Sequence, residues 1–165
     1  MKTPKTIAIH FLLKTALIVV SLYLIFAYVL IPFRMAGNDM SPYFRDGDLG
    51  FFYRLKPPYL NEIVLYTDKD GRKKAGRVIA VSGQTIEFSE SGDFLVDGCQ
   101  PAEEIPYKTS RAQDSHVAFP LTVGQDEYFL LNDFRSIDDD SRTWGCVKKD
   151  KILGKMLFLL RRRNF

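Results

Sequence analysis

Thr15–Phe33 reads TALIVVSLYLIFAYVLIPF, nineteen residues without a charge, in which Ser21 is the one clearly polar side chain after Ala16. As a helix rising 1.5 Å per residue, such a stretch reaches about 28 Å, close to the depth of a bilayer's hydrocarbon core. A helix buried in a soluble domain usually keeps a polar face, and this one has none, so one spanning helix is expected. Tyr23 and Tyr28 add weaker support, since tyrosines favour the membrane interface. Lys2, Lys5 and Lys14 precede the stretch and Arg34 alone follows it closely. The positive-inside rule then puts residues 1–14 in the cytoplasm, 15–33 in the plasma membrane and 34–165 outside. Leu30-Ile31-Pro32-Phe33-Arg34 offers bulky and charged residues where a cleavable leader needs small ones, so the segment reads as an uncleaved signal-anchor.

Outside the anchor, about 130 residues remain, enough for one compact domain. The whole chain carries a net charge of +3 from 23 bases and 20 acids; four of those bases flank the anchor, leaving 19 bases against 20 acids from Met35 onward. A nucleic-acid binder would show a basic face with interleaved aromatics, and none is expected here. Arg72-Lys73-Lys74, the group Lys148, Lys149 and Lys151, and the tail Arg161-Arg162-Arg163 read as solvated turns and a solvated end. Cys99 and Cys146, the two cysteines, either pair or remain as separate thiols; forty-six intervening residues decide nothing. His10 and His116 are the only histidines. Neither a zinc cluster nor a Ser-His-Asp triad finds its parts, and no metal or cofactor is expected.

The domain reads as short strands and turns. Leu49–Leu55 is an aromatic strand ended by Pro57-Pro58, and Glu62–Tyr66 is a second with a β-branched centre. Asp68-Lys69-Asp70-Gly71 is a turn by residue type. Arg77–Val81 and Thr85–Phe88 flank Ser82-Gly83. Phe94-Leu95-Val96 runs into the hairpin signal Asp97-Gly98. Tyr128–Leu131 and Lys155–Leu160 complete the set, the last too short to span a membrane. Long helical periodicity and internal repeats are absent, so the expected class is mainly β, an antiparallel barrel or sandwich behind one transmembrane helix.

Four segments occur in a telling order: Gly37-Asn38-Asp39-Met40-Ser41-Pro42, then Gly47-Asp48, then Gly76-Arg77-Val78-Ile79-Ala80-Val81-Ser82-Gly83-Gln84, and Asn132-Asp133-Phe134-Arg135 through Asp140-Ser141-Arg142-Thr143-Trp144-Gly145. With the single span before them they resemble the type I signal peptidases, membrane-anchored serine/lysine peptidases that trim exported proteins. The family patterns are G-x-S-M-x-P, K-R-V-x-G-x-P-G-D and G-D-N-R-x-x-S-x-D-S-R-x-x-G. Against them, Asp39 stands at the nucleophilic serine, Gly76 at the general-base lysine, and Asp138 at a serine beside that lysine. Met40, Pro42, Arg77, Asp140, Ser141, Arg142 and Gly145 keep the pattern.

Serine attack needs a hydroxyl whose proton passes to a neutral amine, and burial lowers the lysine pKa to supply one. Gly76 has no side chain and Asp39 has a weakly nucleophilic carboxylate, so no catalytic residue is assigned. A shifted Ser41/Lys74 dyad would need both backbones displaced by a strand step, beyond catalytic tolerance. In the duller reading Lys74 is an exposed base. An Asp39/Asp138 pair sharing a proton would need the close, symmetric support of aspartic peptidases. The resemblance is closest to the catalytically degenerate, signal-peptidase-like SipA type of Gram-positive pilus systems. It implies an assembly factor or chaperone that holds extended segments of exported proteins, pilus subunits among them, by strand addition. The cleft candidates are Gly37, Asn38, Asp39, Met40, Gly76 and Asp138. An active peptidase using non-standard residues is the rival, and an anchored structural partner of another peptidase is a third reading.

Overall fold

The structure, a computed structural model, describes residues 4–161. Helix α1 (Pro4–Leu24) continues into a π-helical turn, Ile25–Val29. Ala8–Val29 is long and apolar enough to cross a membrane, and none of its residues is buried. The helical segment therefore begins and ends before the expected 15–33. Leu30–Phe33 belongs instead to strand β1 (Leu30–Arg34). Pro32 explains the change: it disfavours helical geometry at Ile31, and its missing N–H is tolerated on an edge strand, where β1 lies.

The remaining strands are β2 (Leu49–Tyr53), β3 (Ile63–Thr67), β4 (Lys73–Val81), β5 (Thr85–Phe88), β6 (Phe94–Val96), β7 (Leu121–Thr122), β8 (Glu127–Leu131), β9 (Val147–Lys148) and β10 (Ile152–Leu160). A one-turn helix, α2 (Ser141–Trp144), follows β8. Seven strands form one antiparallel sheet in the order β1-β2-β10-β3-β4-β8-β9, and β6-β5-β7 form a second. The mainly β expectation holds, and the large sheet curls into a half-barrel. β4 and β10 each begin earlier than the sequence suggested. The early part of β4, Lys-Lys-Ala-Gly, has too little apolar character to announce a strand.

The curl follows from packing. Ile31 on β1, Phe52 on β2, Ile63 and Leu65 on β3 and Ala75 on β4 share one apolar cluster with Met35, Met40 and Phe44, although β1 and β4 stand four places apart in the sheet. Phe33, Phe44 and Phe52 meet edge-on or tilted at centroid distances of 6.2–6.4 Å, a favoured aromatic geometry. Gly50 sits where a side chain would lie 2.9 Å from the Phe52 ring and 3.0 Å from that of Phe44, so only glycine lets the rings close over the strand. A second cluster joins the two sheets through Ile86, Phe94, Val96, Phe129 and Leu131. The Asp97-Gly98 turn forms as expected, with φ of 52° and 77°, closed by pairing of Val96 with Cys99. Both cysteines are free thiols. Arg161 donates to the Tyr43 carbonyl at 3.1 Å, while Arg162 and Arg163 of the expected tail lie outside the described residues.

Candidate functional site: an open strand edge and its pocket

Strand β4 is paired unevenly. β3 runs beside it from Lys73 to Arg77, but β8 joins the other side only at Arg77. Lys73–Gly76 thus has a ladder partner on one side, and its other edge is open. Facing that edge across the mouth of the half-barrel are Phe33, Arg34, Met35 and Ala36. Between them lies a pocket of about 430 Å³ that Asp39, Lys74 and Asp139 also line.

The turn that presents Asp39 is fixed on both sides. Met40 and Phe44 are wholly buried, and the Phe44 amide donates to the Met40 carbonyl at 2.9 Å. The Phe134 amide donates to the Asp39 carbonyl at 2.9 Å, tying the turn to the loop after β8. The Asp39 carboxylate itself is half-buried and has no hydrogen-bond or ion-pair partner among the described residues. Gly37 and Asn38 are exposed beside it; the Gly37 amide donates to Asp46 Oδ1 at 2.9 Å and the Asn38 carbonyl accepts from the Ser41 amide at 2.9 Å.

Lys74 is not the exposed base that its neighbours suggested. Its side chain is 18% accessible, and Nζ lies 2.5 Å from Asp139 Oδ2. The hydrogen bond from Lys74 holds the Asp139 carboxyl below the usual carboxylate range against the opposing effect of burial, with Lys74's charge and a hydrogen bond from Trp144 assisting. Among the described residues no serine or threonine hydroxyl lies within hydrogen-bond distance of a lysine ammonium; the lysine pairs are Lys74–Asp139, Lys108–Asp93, Lys149–Asp126 and Lys155–Glu62.

Gly76 is buried behind the pocket. A side chain there would meet the Tyr66 ring at 3.1 Å and Leu130 Cβ at 3.4 Å, so the tyrosine covers the position that the motif resemblance sets against a lysine. Tyr66 leans on Trp144 with ring centroids 6.1 Å apart. Burial, together with the carboxylates of Asp140, Asp139, Asp68 and Asp39, pushes its phenol well above the ordinary tyrosine value. The phenol therefore keeps its proton through the neutral range.

Around the pocket runs a frame of buried ion pairs. Asp140 caps α2 by accepting from the Arg142 amide at 3.0 Å and binds the Arg142 guanidinium at 2.9 and 2.8 Å. Arg142 also donates to the carbonyls of Arg135 and Ile137, and Arg135 pairs with Glu103 and Thr109. Arg77 makes a bidentate pair with Asp133 at 2.7 and 2.6 Å. Full pairing is what makes these burials tolerable.

Of the six cleft candidates read from the sequence, Asp39 alone lines the pocket. Met40 is core, Gly76 lies under Tyr66, and Asp138 turns its Oδ2 to the Gln113 amide at 3.3 Å, away from any pairing with Asp39. Ser41 does not meet Lys74, whose ammonium is taken by Asp139. The sequence reading missed Asp139 and Tyr66. The alternation that puts Lys74, Gly76 and Val78 on one face carried the signal for Tyr66, because antiparallel pairing sets Tyr66 directly opposite Lys74.

Comparison with known proteins matches residues 8–160 to the family described as signal peptidase, peptidase S26. The chain is 30% identical to signal peptidase I V of Bacillus subtilis over 140 residues, covering 76% of this chain and 83% of that protein. It is 21% identical to signal peptidase IB of Staphylococcus aureus over 169 residues, covering 91% and 87%. Among solved structures, the crystal structure of a signal peptidase I from Enterococcus faecalis superposes with a TM-score of 0.50 at 26% identity, covering 61% of this chain and 97% of that one. An apolar helix fit to cross a membrane, a half-barrel with one open strand edge, and a match over nearly the full length agree: the chain belongs to the signal peptidase family, peptidase S26.

Proposed function

We propose that this chain is a membrane-anchored, catalytically inactive member of the family that holds extended segments of exported proteins, pilus subunits among them, as an assembly factor or chaperone. In this reading the N-terminus is cytoplasmic, helix α1 with its π turn is the anchor, and the β domain lies outside the plasma membrane. The observation that carries it is the pair Asp39 and Gly76 at the positions where the family pattern has serine and lysine. A carboxylate there cannot form the usual ester intermediate, and a glycine under a tyrosine ring offers no amine to receive a proton.

The open edge of β4 supports the binding half of the reading. Unpaired backbone amides and carbonyls at Lys73–Gly76 can accept an added strand, while the pocket takes alternate side chains. The partner comes from the resemblance and from the anchor's location. The purified full-length chain in detergent micelles should leave labelled signal-peptide and pilin-precursor substrates intact through long incubation. Specific cutting that Asp39→Ala abolishes would overturn the inactive reading in favour of a peptidase with non-standard residues. Recovery of pilus subunits with the anchored protein from cells separates an assembly factor from a structural partner of another peptidase.

A further inference from the structure

The pocket's charges are unevenly spent. Lys74 is neutralised by Asp139 at 2.5 Å, and Arg72 by Asp68 at 3.2 Å and Asp70 at 2.6 Å. Asp39 is left as a half-buried carboxylate without a partner among the described residues. The other unspent charges on the lining, Arg34 and Lys73, are exposed at the rim, where water and salt screen them. A peptide added to the open edge of β4 sends alternate side chains into this space.

We infer that the groove selects an extended segment bearing a lysine or arginine whose cationic head pairs with Asp39, rather than the small apolar side chain that a signal-peptide cleavage site would present. A small apolar side chain would remove water from Asp39 and supply no counter-charge, which is costly. An acidic one would meet Asp39 as a like charge. A basic side chain satisfies the one open carboxylate, and its stem lies against Phe33, Met35 and Ala75 on the same lining. The inference rests on reading the open edge as a peptide groove, and it adds the chemistry of the segment that fits.

The test uses the full-length chain in micelles and three fluorescein-labelled ten-residue peptides, identical except for lysine, alanine or glutamate at one central position, read by anisotropy. The lysine peptide should bind at least tenfold more tightly than the alanine peptide, a difference of about 1.4 kcal/mol. Asp39→Asn should erase that preference, and Asp39→Lys should transfer it to the glutamate peptide. Circular dichroism of each variant establishes that it is folded, and the reversed preference is a gain that misfolding cannot imitate. Equal binding of the lysine and alanine peptides, or a preference for glutamate in the unaltered protein, overturns the inference while leaving a peptide groove standing. Binding of none of the three overturns the groove itself.

Discussion

Two single residues have chemistry that can be checked directly. Burial, with the nearby Glu127 carboxylate, pushes the Cys146 thiol up to about 11, whereas Cys99 is exposed. Since the thiolate is the reactive form, a disulfide reagent at pH 8 should titrate one thiol in the native protein and both of the chain's two cysteines after denaturation. Asp139 is the second case. Its folded-state carboxyl is held below the ordinary range, first by the Lys74 hydrogen bond, so its stabilising effect is complete above the unfolded value and disappears as pH falls through the lower folded one. Because the carboxylate is 56% accessible, Asp139→Asn should cost only about 0.5 kcal/mol in urea unfolding at pH 7, and the two proteins should become equal in acid below both values.

Strand β4 sets the terms for any attempt to build a serine/lysine dyad into this fold. A methyl group at Gly76 would press on the Tyr66 ring at 3.1 Å, so Gly76→Ala should lower stability by about 1–3 kcal/mol in denaturant unfolding. Tyr66→Leu in the same chain should recover part of that loss, a coupling that a double-mutant cycle reads out. Asp39→Ser with Gly76→Lys should therefore fail to cut precursors while Tyr66 remains. The element scale also shows what was legible in the sequence. Turn residues marked the strands well: Asp97-Gly98 and Asp68–Gly71 form where their residue types place them, the latter closed by a bond from the Asp68 amide to the Arg72 carbonyl at 2.9 Å. β1 was hidden because Leu30–Phe33 continues the apolar run of the helix, and Pro32 was the one local sign of a break. Lys74 and Asp139 lie 65 residues apart, and their meeting depends on how β4 sits against the loop after β8, a matter of tertiary register with no local trace. Asp39 was legible because it stands inside the segment Gly37–Pro42 that carries the family resemblance. That its carboxylate has no partner among the described residues, while Lys74 and Asp139 pair with each other, became visible only in the fold.

At the scale of the molecule, the buried pairs hold the parts together. The Asp140 carboxylate accepts from the Asn132 amide at 3.1 Å as well as from Arg142, and Arg142 reaches on to Ser110, Arg135 and Ile137, so one carboxylate joins β8, α2 and the long connection before β7. Asp140→Ala would leave the Arg142 guanidinium buried and uncompensated, and should cost about 3–5 kcal/mol, seen as a large fall in the thermal midpoint. A comparable change at Asp126, whose pair with Lys149 is exposed, should cost less than about 1 kcal/mol. The chain also passes from the π turn at Val29 into β1 at Leu30 with no spacer, and Arg54 grips the junction, donating its amide to the Val29 carbonyl at 3.0 Å and its guanidinium to that of Ala27 at 3.1 Å. On the proposed function, such a protein is a bracket on a post and not a domain on a leash: the elevation of its groove above a bilayer would follow from the length of the post. Which stretch of a passing chain it catches would depend on how far that stretch has emerged as much as on what side chains it carries.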